Sequence, residues 1–397
     1  MKKRSHGDGS IDQRGENRFR LRYRIGKERH SKAIQGTYTE AKTELRRLLR
    51  SADTGEHVAP DKGTVAEWIT QWIEAGAPGR KRTKVGQRAI ERYDQLLRTH
   101  VLPTLGNEKL QDLAATDLDK LYLGLDGKIS PRTARHVHSV LNACLSAAKR
   151  TRKIASNPME HVTNVPSPGD SDHGIALDDD QLKKLLDGFK GSALYALVSV
   201  AAFTGARRNE ILALRWSDLD IEAKTLRIER AIEVTKKFGV RFKGPKKASH
   251  KRSITIDDDL LALLVTEREK HLRLINGVPA DVDVNLDLLK LPPDTLIFPN
   301  PEAMAALDLT TPRKDRNLSK EFGRRAKKIL GFRFNFHWLR GTHETLLLDR
   351  GVPVHVVAAR CGHDPAVLLR SYAKRTRKAD TSAANVIGGL SKAILGA

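Results

Sequence analysis

Four short segments in the second half of the chain carry side chains suited to gripping a phosphate and moving protons beside it. The first is Thr204-Gly205-Ala206-Arg207-Arg208-Asn209-Glu210, in which Gly205 permits a sharp turn and Glu210 falls one helical turn beyond Arg207. A guanidinium is a rigid fork for phosphate oxygens, and a nearby carboxylate can fix its orientation. The second is Gly244-Pro245-Lys246-Lys247-Ala248-Ser249-His250-Lys251-Arg252, a loop whose lysines can serve as mobile ammonium groups and proton donors. In the third, Phe336-His337-Trp338-Leu339-Arg340, a helix start would put His337 and Arg340 on one face while Trp338 and Leu339 pack inward. The fourth is Gly362-His363, followed nine residues later by Tyr372 between basic neighbours, which argues that the tyrosine faces a phosphate. Singly, each has an ordinary reading: an intrahelical ion pair, a basic loop, a core histidine, a packing tyrosine. Their succession, Arg…Lys…His-x-x-Arg…Gly-His…Tyr, is what these ordinary readings do not explain.

The elements needed to hold these groups are legible around them. Ala193–Phe203 is apolar all round, as a buried helix is. Thr225–Ile228 and Ile254–Ile256 have strand composition. Between them, Lys236–Arg252 holds eight Lys/Arg and no acid, and is expected to form a β-hairpin region with a cationic edge or tip. Val278–Pro293 reads as an insertion or long loop. Upstream, Asn17–Ile25 alternates Phe19, Leu21, Tyr23 and Ile25 with Arg18, Arg20, Arg22 and Arg24, the period of a strand with one packed face and one guanidinium face. A second strand near His30–Thr37 and a helix over Thr39–Ala52 would complete a small sheet backed by a helix. The arginines are either simply solvated or face DNA; four on one strand face repel each other unless an anion lies opposite.

Between these regions the apolar spacing is helical. Val65, Trp68, Ile69, Trp72 and Ile73 share a face, as do Ile90, Tyr93, Leu97 and Val101. Thr116 with Asp119 resembles an N-cap pair, Ser130-Pro131 opens another helix, and Asn157-Pro158 is expected to close it. A compact bundle of about four helices follows. Its Arg80, Lys81, Arg82 and Lys84, and its Lys149 and Arg150, are candidate phosphate contacts. Pro166–Gly174 has linker composition.

Composition sets the outer bounds. The 397 residues carry 71 Lys+Arg against 48 Asp+Glu, a formal charge of +23, with 39% apolar and 30% charged residues. That balance suits a soluble multidomain protein whose natural partner is a polyanion, most simply nucleic acid. No apolar run approaches the ~20 residues of a membrane span, and the basic N-terminus lacks the apolar stretch of a signal peptide. Two cysteines, Cys144 and Cys361, exclude a disulfide framework and a multi-cysteine zinc module. An intracellular protein is therefore expected.

The ordered segments resemble tyrosine recombinases, the phage integrase family. TGARRNEILALRWSDLD, GPKKASHKRSITI, FHWLRGTHETLLLDRGVPVHVVAARCGHD and the later Tyr372 carry the resemblance over about Ile175–Lys378. The helical middle is similar to the family's core-type DNA-binding domain, and the arginine strand with its helix to an arm-binding domain.

The resemblance implies residues 1–60 as an arm-type DNA-binding domain, 61–165 as an all-α core-binding bundle, and 175–397 as a mixed, mainly α catalytic domain with a small antiparallel sheet. By position, Arg207 and Arg340 would hold the nonbridging oxygens of the scissile phosphate. Tyr372 would be the nucleophile, and Lys246 the acid for the departing 5′-oxygen, with Lys247 as its alternative. His337 would support proton transfer, His363 would hydrogen-bond the phosphate region, and Glu210 would orient the site.

Neither a metal nor another cofactor is implied, because the phosphotyrosyl bond itself conserves the energy of the broken one. The implied partners are double-stranded attachment sites and three further copies of the chain, linked by exchange of an apolar C-terminal tail (Val386, Ile387, Leu390, Ile394, Leu395). An excisionase and a DNA-bending protein are further partners suggested by the family, in the cytoplasm and on the nucleoid of a prokaryotic cell. Gly341 departs from the histidine that often follows the second arginine. A type IB topoisomerase, which shares the chemistry, and a non-catalytic DNA-binding regulator are the alternatives.

Overall fold

The computed structural model describes residues 9–25, 28–53, 58, 60–79, 85–168, 174–244 and 251–373. It divides into two compact units, Met1–Ser171 and Asp172–Ala397.

The first unit begins with an antiparallel sheet of β1 (Ser10–Gly15), β2 (Arg18–Ile25) and β3 (Glu28–Gln35), β2 lying in the centre. Helix α1 (Tyr38–Asp53) covers one face. It starts at a reciprocal cap, Glu40 accepting from the Thr37 N–H at 2.7 Å while the Glu40 N–H donates to Thr37 Oγ1 at 3.3 Å. Phe19, Leu21 and Tyr23 are buried against Ala41, Leu45 and Leu48, and Arg18, Arg20, Arg22 and Arg24 are all exposed on the opposite face. The strand period thus separates apolar and cationic sides, as the alternation predicts. Arg22 has an acid beside it, Asp12 of β1 at 3.0 Å, whereas Arg24 lies directly opposite Arg29.

A second core in this unit is helical. It is built by α2 (Val65–Glu74), α3 (Gln87–His100), the single turn α4 (Leu102–Leu105), α5 (Ala115–Leu125) and α6 (Pro131–Arg150). Thr64 and Glu67 form a capping box at α2, and Ser130 caps α6 ahead of Pro131. Trp68, Trp72, Leu97, Leu118, Leu121, Val137, Leu141 and Leu145 meet in the centre.

Two expected helix ends are corrected. The N-cap of α5 is Ala114, whose N–H is taken by Asp117 at 3.1 Å. Asp119 instead accepts from Thr163 Oγ1 at 2.8 Å and the Asn164 N–H at 2.7 Å, tying the irregular segment after the bundle to α5. Helix α6 stops at Arg150 rather than at Asn157, because Arg152 turns left-handed (φ 57°) and Lys153 N–H closes onto Ala148 O at 2.9 Å. Asn157 caps a separate 3-10 turn, Pro158–His161.

The second unit opens with α7 (Asp179–Phe189) and α8 (Tyr195–Thr204), the latter buried on nearly every side. After the single turn α9 (Arg208–Ile211) come β4 (Leu219–Asp220), β5 (Thr225–Ile228), β6 (Ala231–Thr235), β7 (Gly239–Lys243) and β8 (Arg252–Thr255). These make two sheets: β4-β5-β8 and the hairpin β6-β7.

The β-hairpin region expected over Lys236–Arg252 is present in its first part and gives way in its last to a strand of the other sheet. Its first part is the turn and return strand of one sheet, and Arg252 starts a strand paired with β5 in the other. Glu233 of β6, just outside that window, neutralises Arg241 and Lys243. Then follow α10 (Asp258–Ile275), a stretch over 278–293 with only a 3-10 turn at Leu286–Leu288, α11 (Pro301–Ala305), α12 (Asp315–Leu330), α13 (Trp338–Asp349), α14 (Val354–Cys361) and α15 (Pro365–Ala373). Phe322 of α12 stacks on Phe189 with centroids 5.5 Å apart and meets Phe336 edge-on at 5.1 Å, fixing the start of α13. No helix among the described residues is long and apolar enough to cross a membrane.

Candidate active site

The site grows from the end of α8. Gly205 sits at φ 63°, and a Cβ there would lie 2.7 Å from His343 Cδ2 and 3.0 Å from Cys361 Sγ. Both the left-handed turn and the space require glycine. The turn delivers Arg207 as the extended residue before α9. Glu210 reaches back to it, accepting from the Arg207 N–H at 2.8 Å and from Nη1 at 2.9 Å. The ordinary intrahelical pair therefore does form; it also aims the guanidinium, whose Nη2 donates to Gly362 O at 2.9 Å. Arg207 keeps 36% of its side chain exposed, while Glu210 keeps 10%.

Arg340, in the first turn of α13, is only 3% exposed. Its Nη1 donates to Gly205 O at 2.7 Å and its Nη2 to Cys361 O. Its Nε lies 2.9 Å from His363 Nε2 and 3.1 Å from Glu344 Oε1, and those two groups are themselves 2.8 Å apart. Gly362 itself is left-handed (φ 64°), which ends α14 and presents both its own carbonyl to Arg207 and His363 to Arg340. Residues from three separate segments thus converge: Arg207 and Glu210, Arg340 and Glu344 of α13, and His363.

His337 stands just before α13 and is exposed, unlike Arg340 three residues on. It lines a cleft of ≈ 470 Å³ together with Arg207, Arg208, Asn209, Ser319, Asn335 and Phe336. The two expected partners on one helix face are therefore at different depths, because the helix begins only at Trp338. Tyr372, near the end of α15, donates its hydroxyl to Asp349 Oδ1 at 2.8 Å. Asp349 closes α13, nine residues beyond Arg340 and so about 13 Å along the helix axis. The tyrosine hydroxyl meets an acid here, and the basic residues that follow it in sequence lie outside the described residues.

Lys246 and Lys247 lie outside the described residues, as do Arg80, Lys81, Arg82, Lys84 and the apolar tail. Lys149 pairs with Glu160 at 2.8 Å, and Arg150 donates to Pro78 O at 3.2 Å.

Three groups escape a reading by sequence: the buried His343, the inward-turned Arg252 and the half-buried Arg360. Arg252 donates to both oxygens of Glu210, at 2.8 and 3.3 Å. Arg360 spreads its nitrogens over His343 Nε2, Thr255 O and Phe203 O, at 3.2, 3.0 and 3.0 Å. His343 Nδ1 meets Ala202 O at 2.9 Å. The only signal for Arg252 is its place at the start of a strand beside the basic loop; nothing local marks His343 or Arg360.

Electrostatics follow from burial and pairing. Burial pushes the Glu210 carboxyl up, but the Arg252 hydrogen bond and charge, with Arg207, more than reverse this and hold it at about 2. Burial, aided by the Arg360 charge, pulls His343 down to about 4, so it is a neutral ring near pH 7. The site therefore presents two guanidinium groups fixed by protein acceptors, with the ionised Glu210 carboxylate against Arg207, and Glu344 and the His363 ring against Arg340.

A model of the phage integrase family matches residues 176–378, the stretch containing all of these groups. The chain is 29% identical to an integrase of Streptomyces ambofaciens over 98% of both chains. Among solved structures it is similar to the Tn1549 transposon integrase in complex with a circular intermediate DNA (TM-score 0.62, 18% identity, 82% of this chain and 99% of that one). It is also similar to a lambda integrase tetramer bound to a Holliday junction (TM-score 0.56, 16% identity, 95% and 97%).

Proposed function

This chain belongs to the phage integrase family, and from that membership we propose that Arg207 and Arg340 hold the scissile phosphate of a DNA strand for attack by Tyr372. The chain is a tyrosine-type site-specific DNA recombinase. The observation that carries the assignment of residues is the convergence of the Arg207–Glu210 pair and the Arg340–His363 pair, tied together by Arg207 donating to Gly362 O and Arg340 to Gly205 O, 155 and 135 residues apart in sequence.

A phosphodiester repels nucleophiles, so the first requirement is to offset the charge that builds on its nonbridging oxygens. Each terminal guanidinium nitrogen of Arg340 carries two N–H groups, and the carbonyls of Gly205 and Cys361 hold one nitrogen each without exhausting it. A phenol with an ordinary pKa near ~10 needs such a positive field to attack as phenolate.

Tyr372 Oη would then bond to phosphorus as the P–O5′ bond breaks. The phenolic proton leaves to a neighbouring base, for which exposed His337 is the proposed group, and Lys246 protonates the departing 5′-oxygen. The products are a 3′-phosphotyrosine and a free 5′-hydroxyl. Attack by a 5′-hydroxyl from a second duplex reverses the steps and rejoins the strand, with no net bond energy consumed. For attack to occur, the Tyr372–Asp349 hydrogen bond must be exchanged for one with the phosphate.

Residues 1–60 are proposed to bind arm-type sites through the arginine face, 61–165 and 175–397 each to contact the core site, and the tail to link protomers. The lambda integrase is a tetramer on a Holliday junction; a tetramer exchanging two strands at a time fits this chain's proposed role in moving a mobile element into and out of prokaryotic, cytoplasmic DNA.

A suicide duplex nicked beside the cleavage point tests the reading. The full chain is expected to become covalently attached to its cognate site, and Tyr372→Phe to abolish the attachment. No attachment on a verified site, or attachment by the phenylalanine variant, would overturn it. In the same assay, Lys246→Ala is expected to regain cleavage on a 5′-thio substrate, whose leaving group needs no acid; rescue of Lys247→Ala alone would move the role to Lys247.

A further inference from the structure

Arg252 follows a run of basic residues in the sequence, yet its guanidinium turns inward and is 7% exposed. Nη2 and Nη1 donate to Glu210 Oε2 and Oε1, at 2.8 and 3.3 Å, and Nε donates to Arg360 O at 2.8 Å, one residue before the end of α14. Glu210 is the same carboxylate that orients Arg207. Arg207 in turn reaches Gly362 O at 2.9 Å, and a Cβ on Gly362 would stand 3.1 Å from Arg252 Nη1. One guanidinium therefore touches the Glu210 carboxylate, the last turn of α14 and the space beside the Gly362–His363 turn.

We propose that Arg252 is a positioning residue for strand cleavage: by holding the Glu210 carboxylate against the end of α14, it fixes the fork of Arg207 and the turn bearing His363 in one geometry. The proposal rests on the reading of Arg207 as a phosphate ligand. The physical reason lies in how Glu210 shares its oxygens. Arg252 spans both oxygens with its fork, which leaves the Arg207 guanidinium a single bond to Oε1 while the Arg207 backbone N–H takes Oε2. Without Arg252, the carboxylate is free to close two parallel hydrogen bonds on Arg207 alone and draw that fork out of line. Misplacement by about 1 Å is enough to lower a rate about 100-fold.

A purely structural ion pair would lose stability, DNA affinity and cleavage together. A positioning residue loses cleavage first. The test uses the full chain on a nicked core-site duplex, measuring DNA affinity by mobility shift and the rate of covalent attachment at saturating protein. Arg252→Gln is expected to bind within about threefold of the unmodified chain but to cleave about 100-fold more slowly. Arg252→Lys, which keeps a charged donor near Glu210, is expected to recover part of the rate. Glu210→Gln and the double variant Glu210→Gln/Arg252→Gln are expected to cleave at the same rate to within about twofold, because both act through one contact.

Unchanged cleavage by Arg252→Gln, loss of affinity in step with cleavage, no recovery with lysine, or multiplicative losses in the double variant would each overturn the proposal. If the unmodified chain forms no covalent complex, or Tyr372→Phe still forms one, it is the functional reading that fails instead.

Discussion

At the scale of single residues, the catalytic unit depends on a few positions with no tolerance. Gly205 is the sharpest case, since its left-handed φ, the His343 ring and the Cys361 sulfur each exclude a side chain. Gly205→Ala is expected to cost roughly 1–3 kcal/mol from backbone strain, with further loss from displacing Arg340, whose Nη1 bonds the Gly205 carbonyl. A lowered melting temperature together with slower covalent attachment would bear this out; an unchanged melt would contradict it. Residue types and order were enough to nominate Arg207, Arg340, His363 and Tyr372. They could not reveal Arg252 or His343, since their hydrogen-bond partners lie in segments far apart in sequence. Nor could they show that Tyr372 rests on Asp349, since its flanking lysines and arginines say nothing of what α13 places beside it.

At the scale of elements, local rules worked where local energies dominate. Ser130-Pro131 begins α6 and the Phe19-Leu21-Tyr23 alternation is a strand, because capping and the two-residue period are settled within a few residues. They failed at Thr116 and Asn157. Asp119 has a tertiary partner in Thr163 and Asn164 that outcompetes capping, and a left-handed Arg152 stops α6 seven residues before Asn157. The arginine face of β2 makes its own prediction. If it meets phosphates, Arg20→Gln with Arg24→Gln should weaken arm-site binding and reduce the slope of log affinity against log salt by about two. Cleavage of a core-site suicide duplex should be unchanged. Unaltered arm binding would leave those side chains as solvated surface.

At the scale of the whole molecule, burial couples stability to pH. His343 and His271 are both held at about 4, mainly by desolvation, against an ordinary 6.5. Their neutral forms contribute fully above pH 6.5, and that contribution is lost as pH falls from 6.5 through 4, because the unfolded chain takes up protons that the folded chain refuses. Glu210, held at about 2 against 4.5, adds a further loss below pH 4.5. Chemical denaturation at pH 7.5, 6 and 5 should therefore show the transition of the second unit weakening before carboxylates begin to titrate; a flat profile down to pH 5 would contradict the burial of these rings.

The charge of +23 already pointed to a polyanion, and the motif order to phosphoryl transfer, because side-chain chemistry and short-range periodicity reside in the sequence itself. What the tertiary structure alone decided was which charges are neutralised, which are buried and which remain for DNA: Arg241 and Lys243 by Glu233, Arg208 by Asp315, Arg252 by Glu210. Net charge counts these cations alike. Their availability depends on partners brought within 3–4 Å by folding, since only at hydrogen-bond range does a low-dielectric interior commit a charge to one neighbour.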